Sequence, residues 1–139
     1  MAAVQHDEQR GLGGFGSVIF NADQFVMFKV SDARHAAQLQ MAIEYAGLKA
    51  GERVAILLPN GIDWVSFDMA ALGLGLVVIP LYAHDSAANV SFILGHSDSR
   101  LLLLDTLDRW RMLSERRKDF PLLSAVWIIE PGAHLNDLA

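Results

Sequence analysis

The sequence predicts an α/β fold: an open, largely parallel sheet with helices on both faces. Two patterns predict it. Short apolar runs alternate with segments whose apolar residues recur every three or four positions. The short runs are apolar at consecutive positions, as expected of strands covered on both sides in a parallel sheet. From Val54 the order reads β-α-β-α-β-α-β, and right-handed crossovers then set helices on both faces.

Each element has its own signal. Residues 1–30 form a lead-in that is loose or β-prone. The first ten residues are polar and without period, Gly11–Gly16 is glycine-rich, and Ser17–Phe20 and Gln24–Val30 are rich in Val, Ile and Phe. Residues 31–139 form the α/β portion. Ser31 or Asp32 caps a helix on which Ala36, Leu39, Ile43 and Ala46 share a face, and Gly47 supplies its left-handed stop. Arg53–Leu58 is a buried strand closed by Pro59-Asn60-Gly61. Ile62, Val65, Met69 and Leu72 mark the inward face of the next helix, followed by a tight turn at Gly75 and a second buried strand, Leu76–Pro80. Small residues at Ala70, Ala71 and Gly73 let that helix lie close on the sheet. Ser86 caps a third helix, with Val90 and Ile93 inward and Gly95 at its end. Leu101–Leu104 is a third strand, ending at Asp105. Leu107, Trp110 and Leu113 face inward on a fourth helix whose outer side carries Arg109, Arg111, Arg116, Arg117 and Lys118. Ala125–Ile129 is the fourth strand.

Composition bounds the function. A chain of 139 residues fits one domain. With 53% apolar and 19% charged residues it has the material for a core, which excludes wholesale disorder. Eleven basic against 16 acidic residues give a net charge of −5, unlike the basic footprint of a nucleic-acid binder. The absence of cysteine excludes a disulfide framework, a thiolate metal site and a cysteine nucleophile, and suits the cytoplasm. The longest uncharged stretch, Met69–Ala83, falls short of the ~20 residues that span a bilayer. Asp7 and Glu8 stand where a secretory signal would carry basic residues.

The most conspicuous local motif is Gly11-Leu12-Gly13-Gly14-Phe15-Gly16-Ser17-Val18. It resembles the glycine-rich phosphate loop of protein kinases, and Val26-Met27-Phe28-Lys29 resembles the strand bearing their phosphate-binding lysine. The His-Arg-Asp and Asp-Phe-Gly motifs that complete such a site are absent from the 139 residues. The alternative is a flexible glycine-rich lead-in. As a dinucleotide fingerprint the glycines fail, because polar residues precede them and β-prone residues follow. The histidines, His6, His35, His84, His96 and His134, show no i, i+4 pair of the zinc-binding type. His84-Asp85 and His96-Ser97-Asp98 fall in loops at alternating ends of the sheet. Ligands of open α/β sheets bind beyond the carboxyl ends of the strands, here Pro59-Asn60, Leu81–Asp85 and Asp105-Thr106, which makes Tyr82 and His84 the ligand-facing candidates. Arg116, Arg117 and Lys118 are candidates for touching anionic lipid headgroups.

A family resemblance covers roughly Ser31 to Pro131. Gly47-Leu48-Lys49-Ala50-Gly51-Glu52-Arg53-Val54-Ala55-Ile56-Leu57-Leu58-Pro59-Asn60, with Trp64 in the next helix, resembles the opening of the AMP-forming adenylating enzymes, the acyl-CoA synthetase and ligase superfamily. Ala70–Tyr82, Ala87–Leu94 and Asp98–Leu102 continue the likeness. Pro80-Leu81-Tyr82 and Asn89-Val90 are closest to the long-chain fatty acyl branch. The resemblance implies an enzyme that joins a fatty acid to ATP, releases pyrophosphate, and passes the acyl group to coenzyme A, with Mg²⁺ on the phosphates. Such enzymes hold ATP on a Ser/Thr/Gly-rich loop with a following lysine, and no such run occurs after Val30. No catalytic, cofactor-binding or metal-binding residue is therefore carried over from the family. The expectation is an N-terminal piece, inactive alone: a truncated gene product, an excised piece or a remnant. Two other readings stand beside it. One is a small nucleotide-binding module on Gly11–Lys29. The other is a non-catalytic interaction domain, whose unpaired sheet edge and uncovered apolar face invite self-association.

Overall fold

Strands form where Val, Ile and Leu run without a polar break. The computed structural model describes residues 16–20, 26–30 and 36–129. Its elements are β1 (Gly16–Phe20), β2 (Val26–Val30), α1 (Ala36–Tyr45), β3 (Arg53–Leu57), α2 (Ile62–Gly73), β4 (Val77–Pro80), α3 (Ala87–His96), β5 (Ser99–Leu104), α4 (Leu107–Ser114) and β6 (Ala125–Ile129), with a 3₁₀ turn at Arg117–Asp119. The sheet order is β1-β2-β6-β5-β3-β4. Every neighbouring pair is parallel except the β1–β2 hairpin, which is antiparallel.

The pleat divides the core in two. Val54 and Ile56 of β3, Leu101 and Leu103 of β5, and Ala125, Trp127 and Ile129 of β6 face α1 and α2. Ala55 and Leu57, Leu102 and Leu104, and Val126 and Ile128 face α3 and α4. The predicted architecture, a largely parallel sheet with helices on both faces, is the observed one. Phe67 of α2 meets the Trp127 ring edge-on at 5.9 Å on one side, and Trp110 packs against Phe120 at 6.4 Å on the other. Gly47 and Gly75 take the positive φ expected of them, 85° and 76°. Ser86 Oγ accepts from the Asn89 amide at 3.2 Å, the cap read from sequence.

Several inward-facing assignments are corrected. On α2 the buried residues are Phe67, Ala70 and Ala71, whereas Ile62, Val65, Met69 and Leu72 are exposed. This helix is apolar on two opposite faces, and Phe67 with the small alanines gives the closer fit to the sheet. Gly73 makes its close approach to the Gln40 side chain of α1, not to the sheet. β4 is an edge strand and is only partly covered, which is where Pro80, lacking an N–H, is tolerated. On α3, Val90 is buried and Ile93 half-buried, but Gly95 lies within the helix. There a Cβ would collide with the Asp119 carbonyl, and the left-handed residue that ends the segment is Asp98, at φ 53°. His96 is accordingly helical, not a loop residue. Leu107 is exposed at the start of α4, while Trp110 and Leu113 are buried. Arg116–Lys118 lie beyond the end of α4, and Arg117 is half-buried, so the three cations do not form one exposed patch. The caps Ser31 and Asp32 lie outside the described residues.

Candidate functional site

The topology places a crevice. The β3–α2–β4 connection runs toward one edge of the sheet, and the β5–α4–β6 connection runs toward the other. β3 and β5 are neighbours, so the direction of winding reverses between their carboxyl ends, where open α/β sheets bind ligands. A cavity of about 430 Å³ opens there on the α3–α4 face, bounded by Leu57, the Ala83–Asp85 loop, Val90 and Thr106. On the opposite face a smaller recess of about 210 Å³ lies between Leu58–Asp63 and Ile129.

Local chemistry explains how the larger cavity is held. Asp105 follows the last residue of β5 and Thr106 caps α4, its Oγ1 accepting from the Arg109 amide at 3.2 Å. The first turn of α4 then carries the Arg109 side chain back over the strand end. Its Nε lies 3.1 Å from Asp105 Oδ1, and its Nη1 donates to the Ala83 carbonyl oxygen. One guanidinium thus ties the β4–α3 loop to the end of β5. Asp85 Oδ1 accepts from the Ser86 amide at 2.8 Å and from Asn89 Nδ2 at 2.9 Å, fixing the other end of that loop. Arg109, Asp85 and Asn89 are thus engaged with neighbouring side chains or backbone, which ties the cavity wall to the strand ends.

Of the two ligand-facing candidates, His84 lines this cavity and Tyr82 does not. Tyr82 is exposed and meets the His84 ring edge-on at 5.5 Å. Pro59 and Asn60 line the smaller recess, and Thr106 the larger cavity. His96 is at the amino end of the sheet, stacked on Phe92 at 5.6 Å. His6, His35, His134 and Gly11–Phe15 lie outside the described residues. Lys29 sits in β2 in register with Ser17 and Ile128. Among the described residues no three His, Asp or Glu side chains gather as a metal site. Sequence reasoning put Arg109 on the outer side of its helix. The signal that finds it is the Asp105–Arg109 spacing of four across the Thr106 cap.

Comparison with known proteins decides the family. The model of the AMP-binding enzymes matches residues 32–137. The chain belongs to the AMP-binding enzyme family. It is 32% identical over 80 residues to the long-chain-fatty-acid–CoA ligase FadD15 of Mycobacterium bovis, an alignment covering 58% of this chain and 13% of the relative. It is 33% identical over 79 residues to fatty acyl-CoA synthetase A of Dictyostelium discoideum, covering 57% and 12%. Among solved structures, the N-terminal domain of FACL13 from Mycobacterium tuberculosis superposes with a TM-score of 0.63 at 24% identity, over 74% of this chain and 26% of that one. The chain thus matches about one eighth of the length of these curated relatives, and it corresponds to an N-terminal portion of the AMP-binding fold. No helix among the described residues is long and apolar enough to cross a membrane.

Proposed function

We propose that this chain is the N-terminal segment of an AMP-forming long-chain fatty acyl-CoA ligase and is inactive by itself. The observation that carries the reading is the family match, which runs through every element from β3 to β6. A long-chain ligase and a fatty acyl-CoA synthetase stand among the relatives at 32% and 33% identity. In the whole enzyme the fatty acid carboxylate attacks the α-phosphorus of ATP and expels pyrophosphate. The thiol of coenzyme A then attacks the acyl carbon and expels AMP. The role of this segment is positional: Arg109, Asp105 and the two helix caps hold rigid the strand ends that border the crevice. The need for ATP and coenzyme A supports a cytoplasmic setting.

The test is thioester formation by the purified chain with ATP, Mg²⁺, palmitate and coenzyme A. No product is expected, and any ATP-dependent acyl-CoA would refute inactivity in isolation. Calorimetry with Mg²⁺–ATP on the chain and on Lys29→Ala completes the test. Binding that vanishes with Lys29 would favour a nucleotide-binding module on the N-terminal lead-in.

A further inference from the structure

We draw no further inference here: the strongest candidate, the surface recess of about 430 Å³ at the amino end of the sheet between the exposed Phe92–His96 ring stack of α3 and Asp119 of the 3₁₀ turn, carries none because nothing in the structure shows what covers it.

Discussion

Gly95 and Gly73 both lie in helices, and at both a Cβ would overlap another atom, yet replacing them with alanine should have different outcomes. At Gly95 the Cβ would stand 2.0 Å from the Asp119 carbonyl oxygen. That atom is backbone, in the 3₁₀ turn immediately before Phe120, which is 1% exposed and packed on Trp110. The turn cannot retreat without drawing Phe120 from the core. Overpacking of this kind costs up to ~3 kcal/mol. Alanine returns ~1 kcal/mol of helix propensity, leaving a net loss of about 2 kcal/mol from these two terms. At Gly73 the nearest atom is Gln40 Nε2, 2.3 Å away, the free end of a flexible side chain. Swinging it aside forfeits its 3.2 Å hydrogen bond to the Ala70 carbonyl, worth ~1 kcal/mol. The propensity gain offsets that loss, so Gly73→Ala should fall within ~0.5 kcal/mol of the parent. Urea unfolding followed by ellipticity at 222 nm measures both. Gly95→Ala should lower the midpoint with the slope unchanged, and Gly73→Ala should leave it in place. A Gly95→Ala protein as stable as the parent, or a Gly73→Ala protein less stable than Gly95→Ala, would refute the reasoning.

Arg109→Met removes the cation from Asp105, whose side chain is 11% exposed, and should cost ~1–3 kcal/mol. It should also speed amide exchange at Asp85, because the loop loses its tie to α4; unchanged exchange would mean that the Ala83 contact holds nothing. Ser86→Ala and Thr106→Ala each delete a helix cap and should each lower stability by ~1 kcal/mol. The two caps are on different helices, so the double variant should lose the sum. A shortfall larger than the error of chemical unfolding would show that α3 and α4 are coupled.

Much of the fold is legible because strands and helices announce themselves by different periods. Ala125–Ile129 and Leu101–Leu104 are apolar at every position, as expected of inner strands covered on both faces of a parallel sheet. Period alone does not say which stripe of α2 meets the sheet. Ile62, Val65, Met69 and Leu72 are the larger side chains, but the closer fit belongs to Phe67, Ala70 and Ala71. Nor does an apolar run reveal its place in the sheet order: Val77–Pro80 resembles β3 in composition, yet it lies at the edge. Gly95 reads as a helix stop until the approach of Asp119 is seen, since that contact joins segments that are distant in sequence. The candidate site was legible as a set of strand ends. Its organising residue, Arg109, was hidden among the other cations of its helix.

The pairing of β2 with β6 sets an order of events during synthesis. β2 is made before every other described strand except β1, but its partners in the sheet are β1, with which it forms a hairpin, and β6, which begins 95 residues after β2 ends. Until Ala125–Ile129 has left the ribosome, the hairpin has no place to dock and β5 has an open edge. Contacts of such long sequence separation form slowly, because the intervening loop must be closed first. Nascent chains stalled before Ala125 should therefore display two strand edges that the finished sheet covers, those of β2 and β5, which makes them substrates for holding chaperones and seeds for aggregation.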